Sequence, residues 1–424
     1  MRPLVFATIV LFPASYALKY VYGVEVTWID PAYLVGLLAL GLHFVARRGR
    51  LRLPRDERAI AAAAALFVVS YTVAGLASLV RYSASQGAVA PTAYSVLREP
   101  IRLCLSAGLF FLVLFVVESR RRYEAVLKVL VWTGIAEFLL AVYMLIAFAV
   151  SLYLPPGWAD YMKVYYWRQA LYQGGLVVPR LGGTFFEAPI YGLFMLTTLG
   201  ANLLLLRLSK QRLYKVTLAV VALGTLACLS DQVLLGMVAL GVVVCLTSLA
   251  GHGWHRPLAL ILGLTAVLGL VAWLGVSVAR KSAVEARLFQ TRGLSVGERL
   301  YHVGRALDHF ETNPFIGIGP GLYGHYAAKT GSWPRTVTVQ VMLPEILVDS
   351  GILGLGAFLI FAGTSAWWLA RKPDKTCLGI ALSLLIADSL QANWKWGFVS
   401  FALGLTIVHH RFAAPRAAAA QESG

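Results

Sequence analysis

Charge is scarce in this chain. Asp, Glu, Lys and Arg make up 13% of the 424 residues, with 20 acids against 37 bases. An ordinary soluble domain carries roughly a quarter charged residues, so a soluble globular protein is excluded. Cysteine is scarce too. Cys104, Cys228, Cys245 and Cys377 each lie in or beside an apolar run, with no Cys-x-x-Cys pair and no adjacent histidine. That excludes a disulfide framework or a zinc site, and the four read as small hydrophobes. A phosphate-cradling P-loop is missing, as is a polar domain large enough for a nucleotide, so any chemistry runs on an already activated substrate or on an ion gradient. No internal repeat is visible, which argues against a transporter built from two similar halves.

What is present is apolar sequence. Hydrophobic residues reach 59% and the mean hydropathy is +0.72, which predicts an all-α, polytopic membrane protein forming one membrane domain over 1–424. Runs long enough to cross a bilayer are expected at 3–22, 31–46, 59–80, 101–117, 129–153, 187–206, 216–230, 233–250, 258–279, 343–370, 376–391 and 396–411, about twelve spans. The first is expected to be a span rather than a cleaved signal peptide. Ser230-Asp231-Gln232 splits 216–250 into a helical hairpin.

The net charge of +17 would suggest nucleic acid in a soluble protein. Here the bases sit in short loops, where they orient a membrane protein. The loops 47–58, 118–128, 207–215, 251–257 and 371–375 hold 18 Lys and Arg, whereas the alternate short loops hold 3. The first set is therefore placed in the cytoplasm with both termini. A smaller loop, 154–186, and a larger one, 280–342, fall on the far side. The larger carries Arg280, Lys281, Arg287, Arg292, Arg299, Arg305, Lys329 and Arg335. Long loops cross a membrane regardless of charge, and guanidinium forks at headgroup level suit a phosphate-bearing lipid.

Three stretches concentrate polar chemistry. In "VVPRLGGTFFEAPIYG", 177–192, Arg180 can hold an anionic headgroup and Glu187 can face a polar cavity; equally, Arg180 can snorkel and Glu187 can satisfy a helix N-terminus. In 294–326, the part 297–312 reads as an amphipathic helix with Leu300, Val303, Leu307 and Phe310 as its apolar stripe, ended by "NPFIGIGPG". Arg299 is the first choice there for a phosphate contact. Of His302, His309 and His325, the last ranks first as a base because it follows the glycine-rich turn near Tyr323. In "VQVMLPEILVDSGILGLG", 339–356, Glu345 and Asp349 share a helix face at the mouth of a span, with Pro344 read as the helix start. Lipid exposure of Asp349 would cost about 2.5–3.5 kcal/mol, so it is expected to face other helices or a wet cavity.

Together, "RLGGTFFEAPIYG", "ERLYHVGRALDHFETNPFIGIGPGLY" and "ILVDSGILGLG" resemble, in order and spacing, the O-antigen ligase and O-antigen polymerase superfamily, over roughly residues 180–370. The N-terminal third is similar only in being hydrophobic. The resemblance implies a GT-C-like, metal-independent membrane glycosyltransferase without a cofactor, in the bacterial inner membrane and acting at its periplasmic face. The donor would be a glycan on undecaprenyl diphosphate. Membrane lipid and a chain-length regulator protein are the other candidate partners; nucleic acid is not one. Arg180 and Arg299 would grip the diphosphate, with Arg305 and Arg287 beside them. Glu187, His325, Glu345 and Asp349 are the candidate catalytic residues, and Gln340 and Tyr323 the candidate acceptor-site residues.

Two departures favour a polymerase over a ligase. Where ligases open the span after the large loop with His-Asn, this chain has Gln340-Val341, and glutamine is no base near neutral pH. Where relatives carry Ser-Arg-Gly, this chain has Ser230-Asp231-Gln232. A ligase is the alternative, and a lipid-linked sugar transporter stands behind it.

Overall fold

The computed structural model describes residues 2–21, 31–48, 53–83, 93–154, 158, 171–173, 176–178, 180–185, 187–209, 211–249, 294–329, 339, 341–389 and 397–413. In these, helices run α1 (Arg2–Val21), α2 (Pro31–Ala46), α3 (Arg55–Ser83), α4 (Ala93–Val116), α5 (Arg120–Ala149), α6 (Ala188–Ser209), α7 (Arg212–Ala227), α8 (Asp231–Leu249), α9 (Leu294–Thr312), α10 (Tyr323–Lys329), α11 (Met342–Ala370), α12 (Thr376–Ser389) and α13 (Gly397–Ala413). Eleven of the twelve anticipated runs coincide with a helix; the twelfth, 258–279, lies outside the described residues.

Among the described residues, five helical stretches are long and apolar enough to cross a membrane: Arg55–Arg81, Val96–Val116, Arg120–Ala149, Ala188–Ser209 and Met342–Ala370. Their surfaces carry the signature of lipid contact. On α3, Leu66, Val69, Val73, Leu76 and Val80 are all exposed and recur at three- and four-residue steps, so they form one outward apolar stripe. Water would penalise such a stripe and hydrocarbon does not. α6 is the opposite case, buried on nearly every side, and forms the axis of the bundle. Around it pack α5, α7 and α12, while α3 lies along α11, α4 along α13 and α8 along α12.

Three details differ from the sequence reading. The frame is helical, but 154–186 contains a short antiparallel hairpin, β1 (Leu171–Gln173) with β2 (Leu176–Val178), in which Tyr172 faces Val177. The signal is "QGGL", two glycines between short apolar runs. α4 begins eight residues before the predicted 101, and its helix runs through Pro100. Arg98 and Glu99 looked like loop residues; with Glu99 paired to both Arg98 and Arg102 they are tolerated. Finally, α9 buries His302 and Ala306 and partly buries Val303 and Phe310, while Leu307 is exposed. The buried stripe is thus rotated away from Leu307, because Tyr323 and Ala327 of α10 pack with Ala306 and Val303 in one small core.

Candidate functional site: a loop spliced into a broken helix

α11 is interrupted at Gly351, whose φ of 66° and ψ of −165° are not helical. A continuous helix would bond the Ile352 and Leu353 N–H groups to the Val348 and Asp349 carbonyls. Here the N–H groups of Ile352 and Leu353 donate instead to the carbonyls of Pro314 (2.8 Å) and Phe315 (3.2 Å). The carbonyls of Val348 and Asp349 accept from Ile318 (2.8 Å) and Gly319 (3.1 Å). The segment 313–321 is therefore spliced into the helix, and four inter-segment bonds stand in for two intrahelical ones. Buried backbone groups must be paired, above all at membrane depth, and this exchange meets that demand.

The splice needs two backbones in contact. A Cβ on Gly351 would stand 2.3 Å from the Phe315 carbonyl, and one on Gly317 (φ 71°) would stand 2.5 Å from the Val348 oxygen. The glycines of the two motifs are thus reciprocal: each leaves room for the other segment's main chain.

Asp349, 1% exposed, closes the joint. Its Oδ1 accepts from the Gly321 N–H at 3.2 Å, and its Oδ2 accepts from the Tyr71 hydroxyl of α3 at 2.5 Å. The sequence placed Asp349 among helices or in a wet cavity and named it as a catalytic candidate. The geometry puts it among helices, with one carboxylate oxygen holding the loop and the other held by α3. Tyr71→Phe is expected to strip a charge-assisted bond from a buried carboxylate, worth about 1.5–3 kcal/mol. The protein should melt earlier in detergent, and unchanged melting would show that this bond carries no weight.

Around the joint, α3 and α4 supply residues that sequence reasoning missed. Glu99 is buried, and its Oε1 accepts from Arg98 Nε at 2.9 Å and Arg102 Nη1 at 3.3 Å. Glu345 is buried in the first turn of α11; the helix starts at Met342, so Pro344 sits inside that turn, where its absent N–H is not missed. The missed signal was charge inside an apolar run, "LREPIRL", in the part of the chain where only hydrophobicity had been registered.

Above the joint lies α10. The Tyr323 hydroxyl shares a 2.8 Å hydrogen bond with His302 Nδ1, tying α10 to α9. Burial pushes that hydroxyl up to about 12, so Tyr323 is a pin rather than a base. His325 is half-buried, and its pKa is lowered by burial and then by the Arg98 guanidinium, which favours neutral imidazole. Arg305, a candidate for the diphosphate, instead bonds Asp308 one turn on at 3.2 Å. The side chain of Arg299, and Arg287 and Gln340 entirely, lie outside the described residues.

A second node gathers the middle of the chain. Arg180 Nε donates to the Cys228 carbonyl at 3.0 Å, and Leu181 N–H to Ala227 at 3.1 Å. The guanidinium thus lies at the carbonyl end of α7, where the helix dipole favours a cation. Beyond it, Gly183–Phe185 forms one 3-10 turn. The Thr184 N–H and hydroxyl both donate to Glu137 Oε1 of α5, at 2.6 and 2.9 Å. Glu137, also missed, is the buried acceptor that shapes the Arg-x-x-Gly-Thr-Phe-like segment. Glu187 precedes α6 and its backbone carbonyl accepts from Ile190 and Tyr191, so it stands at the N-terminal boundary of that helix. Arg180 stands at the α7–α8 turn; Asp349 stands at the α3–α11 joint.

Fold and site together define a helical membrane protein in which a polar loop is welded into a broken helix. Residues 218–359, a third of the chain, match the family model described as O-antigen ligase. The matched stretch takes in the α7–α8 hairpin, the spliced loop and the break in α11, while Arg180 precedes it. No curated protein matches the chain.

Proposed function

We propose that the protein is an O-antigen polymerase of the bacterial inner membrane, with twelve spans, both termini in the cytoplasm and 154–186 and 280–342 on the periplasmic side. It would transfer a growing glycan from undecaprenyl diphosphate to a lipid-linked repeat unit, without a metal. The observation that carries this reading is the splice between 313–321 and the α11 break, inside the segment that matches the family model. It gives both loop motifs of the resemblance a common physical purpose, namely to fix a polar roof over the ends of α3, α4 and α11.

In this reaction an acceptor hydroxyl oxygen attacks the anomeric carbon. The bond from that carbon to the diphosphate oxygen breaks, and undecaprenyl diphosphate departs with the electron pair. Arg180 and Arg299 would neutralise the leaving anion. The hydroxyl proton passes to a base. His325 suits that task best among the candidates, because Asp349 is committed to the joint and His325 is held toward its neutral form beside Arg98.

The assay is direct. Purified protein and lipid-linked repeat unit should give a ladder of longer glycans on a gel. The family description favours a second reading, a ligase, and transfer that occurs only with lipid A core would establish it. With no bond formation at all, the transferase reading falls. If His325 is the base, activity should be lost as pH falls through a midpoint below the ordinary histidine value of 6.5, since protonation removes the acceptor lone pair. His325→Ala should lower turnover by roughly 10²–10⁴-fold and erase that limb; an unaltered acid limb would remove His325 from the role.

A further inference from the structure

Asp388, the penultimate residue of α12, is used by nothing in the proposed reaction. It is 2% exposed and lines a cavity of about 60 Å³ between α3, α4, α11, α12 and α13. Among the described residues its Oδ1 has no hydrogen-bond partner. The walls include Phe67 and Phe358, an edge-to-face pair, and Phe110 and Phe361, another. Among the described residues, no Lys, Arg or His lines the cavity. The other polar side chain on the described wall, Ser400, is already bonded to Ser106 at 2.7 Å. Among the described residues, the charge that acts on Asp388 is a second acid, Glu345.

A buried carboxylate with an open lone pair is expensive unless a donor or a cation meets it. Among the described residues the cavity wall supplies neither, and phenylalanine faces attract cations rather than anions. One water needs roughly 10–15 Å³ of such space, so the cavity takes a group of several heavy atoms. We infer that this Asp388 cavity is a binding site for a small organic ammonium group, with the carboxylate as counter-ion and the phenylalanines as the aromatic wall. The amine could come from a lipid headgroup or from an amino sugar. The inference does not depend on the glycosyl-transfer reading.

The test uses the purified full chain in detergent, with thermal unfolding as the readout. Ethylammonium chloride is expected to raise the melting temperature saturably. Ethanol, its near-isostere, and sodium chloride at equal ionic strength should give less than a third of that shift. Asp388→Asn keeps the shape, removes the proposed counter-ion and should fold, yet lose the ethylammonium response. Phe358→Leu should weaken the response at least threefold. In phosphatidylcholine nanodiscs, added phosphatidylethanolamine should reproduce the shift if the amine is lipidic, and glucosamine should do so if it is a sugar; either supports the site. An equal shift with ethanol, a response that survives in Asp388→Asn, or no ethylammonium response would overturn it.

Discussion

Arg180→Ala is expected to abolish glycan extension, lowering turnover by at least about 10²–10³-fold, the usual loss when one donor to a developing anion is removed. In the proposed transfer the diphosphate would depart as an anion, and a guanidinium at the carbonyl end of α7 is a cation this node presents. Folding should survive, because Leu181 still donates to Ala227 and Thr184 still docks on Glu137. Arg180→Lys should restore only part of the activity, since an ammonium keeps the charge and loses the planar fork. The decisive comparison is the product ladder at matched melting temperature. A normal ladder from a folded Arg180→Ala protein would take the diphosphate away from this residue.

Gly351→Val is expected to produce the largest stability loss, about 3–5 kcal/mol. A Cβ at 351 would stand 2.3 Å from the Phe315 carbonyl, at a φ of 66° that β-branched residues avoid. Either the loop is expelled, breaking four main-chain bonds and the Asp349 contact to Gly321, or α11 rehelicises and orphans the loop. Limited proteolysis should then cut within 313–322, and activity should fall with it. Gly356→Ala on the same helix is the control: a Cβ there meets nothing within 4 Å, so it should be neutral to slightly stabilising. Equal behaviour of the two variants would mean that the splice does not hold the loop.

Much of the architecture was legible because membrane helices are written in composition. Apolar runs of bilayer length leave few alternatives, and the break at 228–230 announced itself by its polar residues. Where charge interrupted a run the reading slipped. α4 was trimmed at Arg98-Glu99-Pro100, since a one-dimensional pattern cannot show that Glu99 pairs with both Arg98 and Arg102. The stripe on α9 was assigned by hydrophobicity alone, whereas His302 is buried because Tyr323, 21 residues later, meets its ring nitrogen.

The site shows the same division. Asp349 was marked in advance as candidate chemistry, and Gly351 and the glycines of 317–321 only as parts of motifs and a helix-breaking turn. Their partners were invisible: Tyr71 lies 278 residues from Asp349, and Glu137 lies 47 residues from Thr184. By itself the sequence determined a helical membrane protein, the positions of most helices and the motifs shared with the O-antigen ligase and polymerase superfamily. Only the tertiary structure decided which polar groups are chemistry and which are joinery. A buried hydrogen bond is a relation between two distant segments, and neither segment carries the other's address.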